Sequence, residues 1–498
     1  MTTRFSFLWL ILAFPLHVAA ESGASESASQ TQIKERAAEL RLGLENWTLP
    51  GDETMGTVGV SYLLEVSPGI YMGPSVYGAA SGKRGGFFSG GGEAALRMPL
   101  FSRLDLEAGL YVGGGGGGTA PVGSGLMLRP HVDLTWNFGA VRAGVSASSV
   151  YFPDGDIRSN QLGLVVSFDD RFFYTDVEHV GESTSTDVRG GVGFDRIAVL
   201  AGTYRPRSGI TDTDGRTATA NIGVAGSRAE QSFNDHFRWG IEAAAAAKGS
   251  ADGYAEVLGT LAVETDVIPR QFSVGGRLAL GLGGGGGVST GGGTLGKASA
   301  YGTVFLPWDL YVSLEGGYID AINGDFRALF ATIQLGMELD HPKLGRTDAT
   351  IHGWRWSGSV EHYSSAARRD GSSGYIDLAG FKIDRELGSG SYVSAQAYGA
   401  VGGDAGGFAV GLAGLGWRTA HTAAGLYAGG EVLVGAAGAG GVDTEGGAIV
   451  QPMVYAGIEL NRSWDLRAGI GHVHSFHGSL DSTVFDVSIG YAFGLPRR

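Results

Sequence analysis

The segment V-F-D-V-S-I-G-Y-A-F at residues 484–493 decides the fold. Phe485, Val487, Ile489, Tyr491 and Phe493 share one parity, and Asp486, Ser488, Gly490 and Ala492 the other. A period of two sends alternate side chains to opposite faces of a strand. One face here is apolar and aromatic, the other small and polar. The same split recurs upstream, where Leu126, Leu128, Pro130, Val132, Leu134 and Trp136 alternate with Met127, Arg129, His131, Asp133, Thr135 and Asn137. Leu310, Val312 and Leu314 alternate likewise with Tyr311, Ser313 and Glu315. From Gly56 onward the chain reads as such strands, each about nine to thirteen residues long, the length a tilted strand needs to cross a bilayer. Short polar turns at 81–86, 153–156, 212–215 and 370–374 separate them, with Asp-Gly pairs suited to hairpins. The pattern predicts an all-β, antiparallel fold.

The N-terminus and the composition bound the setting. Arg4, an apolar run over 5–19 and Val18-Ala19-Ala20 form a secretory signal peptide over 1–20. Cysteine is absent, which removes both a lipidated cysteine and a disulfide framework. No later apolar run is long enough for a spanning helix. A membrane location therefore requires a closed barrel, because only helices and closed barrels satisfy every backbone group in lipid. Glycine supplies 88 of 498 residues, and the formal charge of −14 argues against a nucleic-acid partner.

The strand ending in Tyr491-Ala492-Phe493 resembles the closing strand of Gram-negative outer-membrane β-barrels of the porin or exporter kind. In that family the signal usually ends on the aromatic residue itself, whereas residues 494–498 follow here. The resemblance covers nearly the whole mature chain and implies outer-membrane lipid as surroundings. It also implies that barrel-assembly machinery engages the C-terminal strand.

Residues 21–55 read as a periplasmic leader containing a short amphipathic helix over 31–47. Its apolar stripe of Ile33, Ala37, Leu40 and Leu44 leads to Trp47. Within 56–498, three blocks at about 69–169, 238–340 and 392–494 follow one plan, a self-similarity that indicates duplication. Each holds a small-residue tract, at 112–118, 281–287 and 434–440, and Trp308-Asp309-Leu310 corresponds to Trp464-Asp465-Leu466. The strand total of about 25 suggests one large transmembrane barrel of about 24–26 strands. Such a width leaves an aqueous lumen, for which Ile33, Leu40, Leu44 and Trp47 are the plug candidates. Two or three smaller barrels in tandem form the competing architecture, with breaks at 340–350 or 204–217.

The glycine tracts lack the Gly-Lys-Ser/Thr and helix of a phosphate loop. They suit sharp curvature or tight hairpins at one rim. His472 and His474 share a strand face and form the one weak metal candidate. Ser475 next to His474 fails as a nucleophile–base pair, since neighbours in a strand face opposite ways. Arg129, His131, Asp133, Glu242, Glu256, Arg277, Glu315, Arg327, Glu431 and Arg467 fall on lumen parity, where charges tune selectivity. Trp136, Phe138, Tyr151, Phe152, Trp308, Trp354 and Trp464 fit interfacial girdles. These residues point to a channel or export pore for a polar solute or polysaccharide, with no catalysis and no cofactor. A structural barrel that anchors an envelope assembly is the alternative, and a barrel enzyme acting on envelope lipid comes last.

Overall fold

The structure, a computed structural model, describes residues 33–207, 220–340 and 348–498. The signal peptide, the 21–30 leader and the 212–215 turn lie outside these residues.

The strands close after every eighth, not around one wide ring. The first barrel comprises β1 (Lys34–Leu49), β2 (Glu53–Ser67), β3 (Ile70–Ser81), β4 (Phe88–Phe101), β5 (Leu104–Gly116), β6 (Leu126–Asn137), β7 (Val141–Tyr151) and β8 (Arg158–Tyr174). A short strand, β9 (Ser183–Ser185), lies in the first linker. The second barrel comprises β10 (Arg196–Pro206), β11 (Ile222–Ser232), β12 (Phe237–Lys248), β13 (Ala255–Ile268), β14 (Phe272–Gly284), β15 (Thr294–Phe305), β16 (Leu310–Ala321) and β17 (Arg327–Glu338). The third comprises β18 (Asp348–Ala367), β19 (Ser373–Gly388), β20 (Ser391–Gly402), β21 (Ala409–Arg418), β22 (Leu426–Gly438), β23 (Ala448–Glu459), β24 (Trp464–Ser475) and β25 (Asp481–Arg497). Every pairing is antiparallel, and β1–β8, β10–β17 and β18–β25 seal the three rings. The break expected at 340–350 coincides with the second linker. The one expected at 204–217 does not, because Tyr204 lies inside β10 and pairs with Phe330; the first linker spans 175–195.

The expected helix over 31–47 is instead strand β1. Its stripe of Ala37, Leu40 and Leu44 competes with a period of two in which Ala38, Leu40, Leu42 and Leu44 oppose Glu39, Arg41 and Glu45. Pairing decides between them: Leu40 stands opposite Tyr62 on one side and Phe168 on the other. Glu39, Arg41 and Glu45 point into the lumen, where they are buried. Among its described residues no helical plug forms, and Leu44 faces outward.

The three blocks each cover strands three to eight of one barrel, and each small-residue tract ends strand five. Strand five of one barrel packs on strand three of the next, as β5 on β20, β14 on β3 and β22 on β12, closing a three-barrel ring. The tracts explain the close approach. A Cβ on Gly407 would lie 2.7 Å from the Gly117 nitrogen, and one on Gly253 2.8 Å from that of Ala439. Backbone bonds cross the same junctions, from Gly85 N to Gly291 O at 2.9 Å and from Gly407 N to Gly115 O at 3.1 Å. At the opposite rim Phe172 of barrel one meets Trp356 and Phe493 of barrel three, with ring centroids 5.3 and 5.7 Å apart.

An eight-stranded barrel begins and ends on one rim. On this terminal rim of barrel one the turns are short, at 68–69, 102–103 and 138–140. The far rim carries the longer connections, above all the nine-residue loops 117–125, 285–293 and 439–447.

Candidate functional site: three filled lumens

Each lumen follows from strand parity and barrel width. Alternation turns one residue in two inward, and eight strands leave an interior that side chains can fill. Towards the far rim the filling is apolar. In barrel one Trp47, Tyr77, Phe87, Tyr111, Met127 and Phe152 form one buried cluster, with Trp47 and Phe87 edge to face at 5.5 Å. Tyr204, Tyr254, Leu258, Leu295, Phe326 and Phe330 play this part in barrel two. Tyr363, Phe408, Leu433, Val473 and Val484 do so in barrel three. Trp47 thus helps to close a lumen, but as a strand residue.

Next to each apolar plug lies an ion-pair network. In barrel one Arg41 donates to Glu93 at 2.7 Å and Glu39 at 2.8 Å, and also contacts Glu107. Ser61 and Ser75 donate to the second Glu93 oxygen at 2.9 and 2.7 Å. Arg129 pairs with Glu45, which also accepts from the Trp47 indole at 2.9 Å. His131 lies between Asp133 at 3.1 Å and Glu93 at 3.2 Å.

Arg228 organises barrel two, donating to Glu242 and Glu315 at 2.9 and 2.8 Å and to the Gln334 amide oxygen at 2.9 Å. Arg277 joins Glu230 at 2.7 Å and also meets Glu315. Lys297 donates to Glu242 at 2.8 Å and to Glu256 at 2.5 Å. Tyr204 and Tyr254 donate to the two Glu256 oxygens.

Barrel three is less fully paired. Lys382 meets Asp486 at 2.8 Å, and Arg467 donates to Asp384 at 3.1 Å. Tyr392, Tyr427 and Tyr455 surround the Arg467 guanidinium, the nearest ring centroid 5.0 Å away. Glu431 accepts from Tyr392 and Gln396, both at 3.1 Å. Gln451 donates to one oxygen of the buried Glu361 at 2.9 Å, and among the described residues its other oxygen has no partner.

Of the residues singled out in the sequence, Arg129, His131, Asp133, Glu242, Glu256, Arg277, Glu315, Glu431 and Arg467 are inward and buried. Arg327 is a correction. It opens β17 on the outward parity, at the far rim, where it is exposed and pairs with Asp320. Sequence reasoning missed Arg41, Arg228, Lys297, Lys382 and Asp486. The signal lay in parity alone: each is a charge flanked on both sides by apolar or small residues within a strand. Phe152, read as a girdle residue, lies in the plug.

His472 and His474 both reach the Asp481 carboxylate, at 2.8 and 3.0 Å, on an exposed rim. Among the described residues no group of three His, Cys, Asp or Glu side chains is arranged to hold a metal ion. Ser475 faces the other way, buried, and donates to the Thr444 carbonyl at 2.6 Å.

No family model matches the sequence, and no curated protein matches it. Among solved structures, the ferric enterobactin receptor PfeA aligns with 93% of this chain and 82% of its own, at 9% identity and TM-score 0.29. OpdQ of Pseudomonas aeruginosa aligns with 92% of this chain and 99% of its own, at 10% identity and TM-score 0.22. For OccAB4 of Acinetobacter baumannii the figures are 93%, 99%, 10% and 0.23. Leu162, Leu261, Leu278, Leu314, Leu415 and Val454 are among many large apolar residues exposed on the outer barrel walls, while the charges lie inside. That is the inside-out arrangement of a membrane-spanning barrel. The chain is built as a membrane-spanning β-barrel protein.

Proposed function

We propose that the protein is a non-catalytic, non-conducting scaffold that anchors an envelope assembly. One observation carries the reading: all three lumens are closed, by an apolar plug and by a paired charge network. An ion crossing such a plug would shed its hydration without replacement, at a cost of many kcal/mol. What the molecule offers its surroundings is a fixed array of three rims, locked by the glycine junctions. Barrels of this kind have short periplasmic turns and longer extracellular loops, so the terminal rim faces the periplasm and the nine-residue loops face outward.

The polar half of each lumen favours a second reading, a channel or export pore for a polar solute or polysaccharide that conducts once the plugs move aside. Planar-bilayer recordings of the refolded mature protein separate the two. The scaffold reading expects no steps from the native chain, and small steps only after the Phe87→Ala, Phe326→Ala and Phe408→Ala exchanges. Frequent large steps from the native chain would overturn it and establish transport.

A further inference from the structure

We propose that the cleft between barrels two and three holds a glycerophospholipid of the periplasmic leaflet, with its phosphate on Arg385. The residues flanking Arg385, Asp384 and Glu386, leave it on the outward parity of β19, opposite Trp354 of β18. It nevertheless keeps only 6% of its surface exposed, because Met337 of β17 covers it from the neighbouring barrel. The guanidinium stands over the Trp354 ring, 5.9 Å from its centroid. Among the described residues the one polar atom its guanidinium touches is the Met337 sulfur. Among the described residues its Nε and Nη2 meet no acceptor, yet neither is sealed from solvent.

The charges that act on it are Arg497 and Asp309. Asp309 is already engaged by the Arg497 guanidinium, at 2.6 Å. Among the described residues this junction therefore carries a net positive charge, beside a guanidinium whose Nε and Nη2 lack an acceptor. A charge in this position needs a counter-ion, and a guanidinium edge matches a phosphate oxygen pair.

The apolar surroundings select the kind of phosphate. Ile333 and Leu335 on β17 and Ile383 on β19 point outward on the bilayer side of Arg385, each about half exposed. They offer acyl chains a wall that a free anion would not use. The terminal rim places the headgroup at the periplasmic interface, where Trp354 fits an interfacial belt. Basic pockets between membrane segments hold lipid headgroups in this way.

Native mass spectrometry of the full mature chain, released from detergent, tests the assignment with dioleoylphosphatidylglycerol as probe. The native protein is expected to retain one such lipid tightly, and dioleoylglycerol not at all. Arg385→Gln should weaken retention about tenfold, the scale of one charge-assisted hydrogen bond. Arg103→Gln, at an exposed turn of the same rim, should leave it unchanged. Equal retention of dioleoylglycerol by the native protein would overturn the proposal, and needs no variant to fold. So would full retention by a folded Arg385→Gln chain, or displacement of the lipid by inorganic phosphate, which would make the site one for a free anion.

Discussion

Replacing Arg228 by Met tests whether the lumen networks hold the barrels together or are merely solvated linings. The Arg228 guanidinium serves Glu242, Glu315 and Gln334 at once, and all four residues are buried. Met has a similar apolar stem, so the exchange removes the charge and its hydrogen bonds with little change in packed volume. Breaking a buried pair from one side costs about 3–5 kcal/mol, because the orphaned charges stay desolvated. Glu242 keeps Lys297 at 2.8 Å, and Glu315 keeps Arg277, Ser299 and Gln334, so the low end applies. A loss of about 3 kcal/mol is a more than hundredfold change in the folding constant. With a slope of about 2–3 kcal/mol per molar of urea, the unfolding midpoint in vesicles should fall by about 1–1.5 M. Adding Glu242→Gln and Glu315→Gln to the same chain should recover much of the loss. Tryptophan fluorescence follows the transition, since Trp239 lies in barrel two. A midpoint unchanged within about 0.2 M would refute the reasoning: the carboxylates would then have water, and the lumen would be open.

Two further exchanges probe how the barrels are joined. Gly407→Val should undock barrel three from barrel one at the far rim, because its Cβ would enter the Gly117 backbone and φ is +93°. The expected loss is about 1–3 kcal/mol, read as split unfolding transitions where the native chain shows one. Phe172→Ala empties the aromatic contact at the other rim. A buried aromatic truncated in this way costs about 3–5 kcal/mol, and hydrogen exchange should rise in β8 and β25 while β14 stays protected.

Much of the wall was legible in the sequence, and its closure was not. The alternation of Val132, Leu134 and Trp136 with Arg129, His131 and Asp133 is local and survives folding unchanged. Closure depends on pairings such as Arg41 with Ser167, more than a hundred residues apart, and no turn residue encodes which strand will meet which. Lumen width, and with it the difference between a pore and a packed core, depends on that pairing. β1 was misread for a related reason. Inside-out polarity buries Glu39, Arg41 and Glu45, and a reading that sends charge to solvent converts them into a helix face. Arg327 shows the converse error: it shares its parity with the outward Leu329, Ile333 and Leu335, and its charge was allowed to outweigh that parity. Arg385 was invisible, because its importance comes from Met337 on another barrel.

Eight is an even number, and here that has a consequence for counting. The chain leaves every barrel on the side from which it entered: β8 ends, β10 begins, β17 ends and β18 begins on one rim. A chain of one, two or three such units has the same sidedness throughout. Whole barrels can therefore be gained or lost without inverting any that remain, whereas the loss of a single strand would turn every later unit upside down.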